Sequence, residues 1–349
     1  MTNETPKIKG LDGTRAISVG LVVLTHIGAL QNLPPRIYQT LQGTTGVIIF
    51  FALSGFLITH LLIREHQRFA FISLTKFYIR RTLRIVPLYL TVIFLTAAIN
   101  QISYVAKKTA IVFALIYATN FIDKSHYSGM LGHTWSIAVE EHFYLIWPAA
   151  LALWIKGNWR LAAIVLSAFS FLSLIAANLL FHSTYLSTNF FVDRWTFVAA
   201  APIAMGALIA IIVTTEFAEA LRDALASRVT FAGALALICH SLIFPDPPLH
   251  LGDFLRGAGA AIVIGWLFLN QQSAVVRWLE FAPLRYIGLI SYGIYMWQGF
   301  FLATGPERAP GQLWPPSPWI GIALLSVVAP LSFSFFEQPI LRIKKRFEH

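Results

Sequence analysis

The fold is decided by residues 45–63, which read TGVIIFFALSGFLITHLLI. These 19 positions contain no Asp, Glu, Lys or Arg, and a helix needs about 20 apolar residues to cross a bilayer. The whole chain shares this character, because 57% of its 349 residues are hydrophobic and only 12% are charged. A soluble domain of average composition is about 25% charged. The sequence therefore predicts an all-α, polytopic membrane protein.

Charge predicts how this chain crosses the membrane. Further apolar runs begin near residues 14, 85, 109, 137, 160, 196, 229, 254, 284 and 319. The run at residues 109–122 has only 14 residues and contains Asn120, so its length leaves open whether it crosses. Counting it as an eleventh span would place the basic residues 342–346 outside, so we do not count it as a span. Of the 26 Lys and Arg residues, 19 then fall in one set of alternate loops. Because cytoplasmic loops are enriched in Lys and Arg, we predict about ten spans with both termini in the cytoplasm.

Composition and motifs exclude several other classes of protein. The single cysteine, Cys239, cannot form an internal disulfide. In so apolar a chain, we attribute the net charge of +10 to loops facing anionic membrane lipid and expect no nucleic-acid partner. The sequence has no phosphate-binding loop and no dinucleotide fingerprint. His126, His133 and His142 lack metal-ligand spacing, so we expect no metal.

Arg15 and His26 are ionisable residues in the first apolar run. They are separated by eleven positions, which is about three helical turns, so both side chains fall on one face roughly 16 Å apart. Ionisable groups inside a membrane are costly and often functional. The alternative is an Arg whose charge reaches the interface and a His that bonds a backbone carbonyl.

A second cluster occupies residues 132–148, which read GHTWSIAVEEHFYLIWP. On a helix the side chains of Glu140 and Glu141 point in directions about 100° apart, so they cannot have the same role. We expect one of them to face a cavity and the other to pair structurally. The alternative is a pair of carboxylates at the membrane interface.

Two further groups of charges are candidates for a site. Arg81 and Arg84 share a helical face, and paired guanidinium groups suit phosphate, although the sequence alone favours anchoring to lipid headgroups. Glu337 follows Phe335 and Phe336 near the end of the last span. It either pairs with nearby arginines or belongs to the site.

Six motifs occur in order along the chain, and together they resemble acyltransferase family 3, the bacterial integral-membrane O-acyltransferases. The motifs are Leu11–Ile17 with His26, Phe50–Ile58, Arg81–Arg84, His133–Tyr144, Ser291–Tyr295 and Glu337–Pro339. The resemblance covers residues 9–340. It implies a single membrane domain over residues 1–349, and residues 341–349 form a basic cytoplasmic tail.

The resemblance implies transfer of an acyl group, usually acetyl, from cytoplasmic acyl-CoA to a hydroxyl of an extracytoplasmic carbohydrate. It implies a multi-pass protein of the bacterial cytoplasmic membrane, in contact with membrane lipid. Acetyl-CoA would be the donor substrate, and no permanently bound cofactor is expected. The donor could equally carry succinyl or a longer chain.

Matching the motifs residue by residue gives candidate roles. Arg15 and His26 match the family's essential pair, Arg81 and Arg84 its donor-side pair, and Glu140 its carboxylate. We hypothesise that His26 acts as general base on the acceptor hydroxyl, that Glu140 orients the imidazole, and that Arg15, Arg81 and Arg84 hold the donor phosphates. A covalent acyl-His intermediate is a variant of this scheme. Other candidates for lining the site are Ser54, His133, Trp135, Ser136, Glu141, Tyr292 and Glu337.

The sequence departs from the family at two places. Gln298 stands where the family commonly has His, and an amide cannot act as a base. Arg194-Trp195-Thr196 lacks the Asp of the family's Arg-x-Asp step, so acceptor contacts are expected to differ. No hydrolase-like module follows within the sequence, so we expect any hand-over to a second catalytic module to need a separate protein. The alternative function is a polytopic transporter or flippase of a glycan or small solute, which would also need ionisable groups in the membrane.

Overall fold

The chain folds into a bundle of helices. The computed structural model describes residues 8–100, 106–244, 251–302 and 313–344, so residues 345–349 of the predicted basic tail lie outside the described residues. Within these ranges no strand forms, and one isolated β-bridge joins Asp123 to Phe190. The α-helices are α1 Leu11–His26, α2 Pro35–Leu41, α3 Gly43–Phe69, α4 Leu74–Ile99, α5 Lys108–Leu115, α6 Gly129–Gly132, α7 Thr134–Ala150, α8 Trp159–His182, α9 Thr184–Asn189, α10 Thr196–Ala199, α11 Ala201–Thr214, α12 Glu219–Ala226, α13 Arg228–Ile238, α14 Leu251–Leu269, α15 Ala274–Leu279, α16 Ala282–Leu289, α17 Ser291–Leu302, α18 Pro318–Ser332 and α19 Gln338–Lys344.

The predicted all-helical architecture is confirmed, and five of its helical stretches are candidate membrane spans. Five helical stretches of the described residues are long and apolar enough to cross a membrane, namely Pro35–Phe69, Leu74–Ile99, Trp159–His182, Leu251–Leu269 and Pro318–Ile343. Helices α11 and α12 form a sixth if the pair, which is bent by 107°, counts as one broken span. The number of ten spans and the cytoplasmic side of both termini stay predictions.

The remaining predicted runs form shorter helices. Helix α5 has eight residues, so it rises about 12 Å and cannot cross a hydrocarbon core of about 30 Å as a helix. Helices α1 and α17 have 16 and 12 residues. An apolar run in the sequence therefore does not by itself establish a full-length span.

Helices α3 and α11 approach each other closely at two glycines. A Cβ atom on Gly55 would lie 1.9 Å from the carbonyl oxygen of Ile203, and one on Gly206 would lie 1.9 Å from the carbonyl oxygen of Ala52. Small residues at helix crossings allow such close backbone contact in membranes. This contact sets the position of α3, which borders the site described below.

We expect Gly206→Ala to destabilise the folded protein, because its methyl group would overlap the backbone of α3. Overpacking of this kind typically costs about 1–3 kcal/mol, and the melting temperature in detergent should fall. Gly233→Ala in α13 is the matched control, since a Cβ there would meet nothing within 4 Å. Equal melting temperatures for Gly206→Ala and the wild type would contradict the importance of this contact.

Candidate active site

Two cavities lie at opposite ends of α1 and α3. The first, called the basic cavity, has a volume of about 1110 Å³ and borders the Arg15 end of α1 and the Arg68 end of α3. The second, called the histidine cavity, has a volume of about 850 Å³ and borders the His26 end of α1 and the Gly43 end of α3. At about 1.5 Å per residue, Arg15 and His26 lie roughly 16 Å apart along α1. The two predicted residues therefore face separate cavities.

The basic cavity carries a large excess of positive charge. Its cationic side chains are Arg15, Arg64, Arg68, Lys76, Arg80, Arg81 and Arg84. Glu65 and Glu140 are the carboxylates that also border it, and Glu65 Oε2 lies 3.5 Å from Arg80 Nη2. Because the cations outnumber the carboxylates, the cavity has the charge needed to bind a polyanion such as a phosphorylated donor.

A hydrogen-bonded network joins α3, α4 and α7 at the wall of the basic cavity. Ser54 Oγ donates to Glu140 Oε1 at 2.7 Å, and Arg81 Nη2 lies 3.5 Å from Glu140 Oε2. Arg81 Nε lies 3.7 Å from Glu141 Oε1, and its guanidinium carbon lies 3.6 Å from the ring centroid of Tyr144. The charge of Arg81 is thus already balanced by carboxylates.

Arg84 differs from Arg81 in its partners. It borders the basic cavity and lies within electrostatic range of Arg15 and Arg81. Among the residues that the structure describes, no carboxylate or hydrogen-bond acceptor contacts its guanidinium group. Arg15 by contrast pairs with Asp12 at 2.6 Å. Of Arg81 and Arg84, Arg84 is therefore the arginine whose N–H groups are available to bind a ligand.

His26 is held by its own helix. Its Nδ1 lies 2.8 Å from the carbonyl oxygen of Val22, and a carbonyl oxygen can only accept, so Nδ1 carries the hydrogen of this bond. In the neutral ring the lone pair is then on Nε2. The ring borders the histidine cavity, which gives it the tautomer and place required of a general base.

This geometry corrects the orienting role that we hypothesised for Glu140. The carboxylate bonds Ser54 and pairs with Arg81, while the carbonyl of Val22 fixes the imidazole of His26. Glu140 belongs to the wall of the basic cavity. The sequence could not show this, because Ser54 and Arg81 reach Glu140 from other helices.

Arg194 and aromatic rings line part of the histidine cavity. The guanidinium carbon of Arg194 lies 4.0 Å from the ring centroid of Phe191, 5.1 Å from that of Tyr127 and 5.5 Å from that of Trp135. Within the described part of the chain, no ion pair or hydrogen bond engages this guanidinium. Stacked rings hold a guanidinium in place, so its N–H groups are available to a ligand in the cavity.

Arg256 also borders the histidine cavity, where its hydrogen bonds hold neighbouring segments together. Its side chain is buried and donates to Asp253 at 2.8 Å, to Ser241 at 2.6 Å and to the carbonyl of Gln39 at 3.1 Å. These bonds tie α14 to the segments that precede α3 and follow α13. Arg256 therefore stabilises the wall of the histidine cavity.

The two cavities meet at four residues that border both of them. These residues are Val22, Val47, Phe51 and Tyr295. Tyr295 Oη lies 2.6 Å from Ser136 Oγ and 3.1 Å from the carbonyl oxygen of His133. We call this set the junction. It is the part of the wall that the two cavities have in common.

The other predicted site residues divide between the cavities. Ser54, Ser136 and Tyr292 border the basic cavity, and His133 and Trp135 border the histidine cavity. Tyr292 Oη donates to the carbonyl of Ile85 at 2.6 Å, which links α17 to α4.

Two predicted residues border neither cavity, Glu141 and Glu337. Glu141 pairs with Arg81. Glu337 accepts from Ser332 at 3.3 Å and packs so closely against Gly293 that a Cβ there would lie 2.8 Å from its Oε1. Both carboxylates thus make contacts within the bundle wall.

Sequence reasoning did not select Tyr295 or Arg194. The sequence did draw attention to both residues, because Tyr295 ends the Ser291–Tyr295 motif and Arg194 begins the segment that departs from the family. Tyr292 and Tyr295 are three positions apart and share a helical face, so only the packing of α17 distinguishes them. In residues 8–100, 106–244, 251–302 and 313–344, no group of three His, Cys, Asp or Glu residues gathers in a way that could hold a metal ion.

Comparison with known proteins identifies the relatives of this architecture. A family model described as an acyltransferase domain matches residues 8–337. The chain is 27% identical over 363 aligned positions to the peptidoglycan O-acetyltransferase OatA of Listeria monocytogenes, covering 95% of this chain and 56% of that protein. It is 27% identical over 358 positions to the O-acetyltransferase OatA of Staphylococcus aureus, covering 95% of this chain and 57% of that protein. The chain thus spans little more than half the length of these relatives. No solved structure matches it.

Proposed function

This chain belongs to acyltransferase family 3, and from that premise we propose that it is a membrane-bound O-acyltransferase. Acyl-CoA would bind in the basic cavity as donor substrate. A hydroxyl of an extracytoplasmic carbohydrate would bind in the histidine cavity as acceptor. Acetyl is the acyl group we assign, because the relatives are named O-acetyltransferases. No permanently bound cofactor is part of this proposal.

The observation that carries the proposal is the pair of cavities that meet beside His26. A transfer between two substrates held on opposite sides of a membrane needs two binding spaces and one point of contact. The basic cavity and the histidine cavity share the junction, and the backbone of Val22 at that junction holds His26. The relatives' names favour an enzyme over the alternative of a transporter.

Charge supports a donor site on the cytoplasmic side. The cations of the basic cavity from Arg64 to Arg84 belong to the loop set that the positive-inside rule assigns to the cytoplasm. Arg84 and Arg15 would bind donor phosphates through charge-assisted hydrogen bonds. Arg81, neutralised by Glu140 and Glu141, would shape the cavity wall.

We assign the carbohydrate acceptor to the histidine cavity. Aromatic side chains and a few polar groups are typical of small-molecule sites, and Trp135, Tyr127 and Arg194 provide both. The N–H groups of Arg194 would bond sugar oxygen atoms. Because the Listeria monocytogenes relative is named a peptidoglycan O-acetyltransferase, we propose a cell-wall glycan as acceptor and the bacterial cytoplasmic membrane as location.

In the reaction we propose, Nε2 of His26 takes the proton of the acceptor hydroxyl as its oxygen attacks the thioester carbonyl. The tetrahedral intermediate then collapses, the C–S bond breaks, and the CoA thiolate leaves. The imidazolium of His26 returns its proton to that thiolate. In the covalent variant, Nε2 attacks the thioester carbonyl, the C–S bond breaks, and the CoA thiolate leaves. The acceptor oxygen then attacks the acyl-imidazolium, the C–N bond breaks, and the thiolate takes the hydroxyl proton.

A transfer assay tests this function. The purified protein in detergent is incubated with labelled acetyl-CoA and a peptidoglycan glycan fragment, and both free CoA thiol and acetylated glycan are measured. We expect acceptor-dependent thiol release that yields an equal amount of acetylated glycan. Succinyl-CoA and a second cell-envelope polysaccharide, run in parallel, identify the acyl group and the acceptor class. Failure to bind any acyl-CoA would overturn the proposal.

A further inference from the structure

The junction contains one polar side chain, and it belongs to a residue that the mechanism above does not use. Of the four residues that border both cavities in the described part of the chain, Val22, Val47 and Phe51 are apolar and only Tyr295 has a hydroxyl. Under the proposed function, the thioester carbonyl must reach this junction to meet the acceptor hydroxyl. A group that bonds the carbonyl oxygen there would act on the reacting atoms themselves.

We propose that Tyr295 is a catalytic residue whose hydroxyl donates a hydrogen bond to the oxyanion of the tetrahedral intermediate. This inference rests on the proposed acyl transfer and adds the group that stabilises its negative charge. Donors that are already aimed at a developing charge need no reorganisation during the reaction, and this makes them effective. His26 cannot fill this role while it accepts the acceptor's proton.

The hydroxyl of Tyr295 can turn from a protein hydrogen-bond acceptor to a substrate oxygen while its polar neighbours remain hydrogen-bonded. Tyr295 Oη lies 3.1 Å from the carbonyl oxygen of His133, and Ser136 Oγ lies 3.2 Å from the same oxygen. The two hydroxyls are also 2.6 Å apart. When Tyr295 turns its hydrogen toward a substrate oxygen, Ser136 can donate to Tyr295 Oη. The carbonyl of His133 keeps the backbone N–H of Ser136 at 3.4 Å.

This chain of hydroxyls also strengthens the donor. A hydroxyl that accepts one hydrogen bond becomes a better donor in the next, particularly away from bulk water. The ring of Tyr295 is held by the imidazole of His133, whose centroid is 5.6 Å away in an edge-to-face arrangement. Ser136 and His133 thus position Tyr295 without contacting the substrate in this scheme.

The step conserves atoms and charge. The acceptor O–H bond breaks and its proton moves to Nε2 of His26, while the new C–O bond forms. The π electrons of the thioester carbonyl move to its oxygen, which accepts the hydrogen bond from Tyr295. On collapse the carbonyl re-forms, the C–S bond breaks, and the thiolate takes the proton from His26. Tyr295 keeps its own proton throughout.

Tyr295→Phe tests the inference, because it removes the hydroxyl and keeps the ring. Loss of one oxyanion donor typically lowers kcat by about 100- to 1,000-fold. We expect that loss with the KM values of acetyl-CoA and glycan little changed. The pH dependence of the remaining rate should keep its shape, because His26 is still the base. Tyr286→Phe in α16 is the matched control, since Tyr286 borders neither cavity.

Ser136→Ala provides a second, independent variant. It keeps the phenol but removes the hydroxyl that supports it, so we expect kcat to fall about threefold to tenfold, the effect of one ordinary hydrogen bond. This variant decides the matter if Tyr295→Phe does not fold, as judged by melting temperature and acetyl-CoA binding. Wild-type kcat in Ser136→Ala would then overturn the inference.

The outcomes separate this inference from the proposed function. If the wild type transfers no acyl group to any acceptor and binds no acyl-CoA, the proposed function fails and the role of Tyr295 fails with it. If the wild type is active and folded Tyr295→Phe has wild-type kcat, only the role of Tyr295 is overturned. A loss confined to the KM of either substrate would also overturn it, because it would indicate binding of the ground state.

Discussion

Replacing His26 with alanine is expected to lower kcat by about 100- to 10,000-fold, the range that general acid–base catalysis contributes. The physical reason is the orientation of the ring, whose Nδ1–H is committed to the carbonyl of Val22 and whose Nε2 is left for the acceptor hydroxyl. Steady-state release of CoA thiol in the presence of a glycan acceptor measures the change. Melting temperature and acetyl-CoA binding, measured on the same sample, should remain close to those of the wild type.

His182→Ala is the control for this substitution. His182 ends α8 as His26 ends α1, and its Nδ1 bonds the carbonyl of Asn178 at 2.6 Å, again four residues earlier. It borders neither cavity, so its removal should leave activity intact. Wild-type kcat in a folded His26→Ala protein would refute the assignment of His26 as the base.

Labelled acetyl-CoA without an acceptor distinguishes the two versions of the chemistry. If an acyl-His intermediate forms, the label should become attached to the wild-type protein and not to His26→Ala. In direct transfer neither protein acquires label. Both results are compatible with a large loss of kcat in His26→Ala, so this measurement is needed to choose between them.

Arg84→Ala is expected to raise the KM of acetyl-CoA by about 10- to 100-fold, because hydrogen bonds to charged groups contribute about 1.5–3 kcal/mol. The effect should be selective for phosphate. A phosphate-free donor, S-acetylpantetheine, should show nearly the same KM with wild type and with Arg84→Ala. Initial rates over a range of both donors measure the difference.

Two further variants make this experiment specific. Arg84→Lys keeps the positive charge and should recover part of the affinity, although a lysine lacks the planar fork of the guanidinium group. Arg160→Ala removes an exposed arginine that borders neither cavity and should change nothing. A KM rise of equal size for both donors would contradict phosphate binding by Arg84.

The local features of the site follow from the order of its residues. Arg15 and His26 lie on one helix, α1. Glu140 borders the basic cavity and Glu141 does not, as a rotation of about 100° between neighbouring positions requires. The identity of the family likewise follows from motifs that the sequence presents in order, and it is confirmed over residues 8–337.

The partners of these residues could not be predicted in the same way. The carboxylate of Glu140 was expected beside His26, but it contacts Ser54 of α3 and Arg81 of α4 instead. Tyr292 was selected from its motif, but Tyr295 is the tyrosine at the junction. Both differences arise because helices distant along the chain pack side by side.

Composition, apolar runs and the distribution of Lys and Arg are properties of the chain itself, so the sequence alone determined a helical membrane protein, and its ordered motifs carried the resemblance to the family. The cavities depend on contacts between helices. Ser54 and Glu140 are separated by 86 residues, and Ser136 and Tyr295 by 159. Only the tertiary structure could decide which polar groups meet at the junction, because close packing at sites such as Gly55 and Gly206 sets the distances between helices.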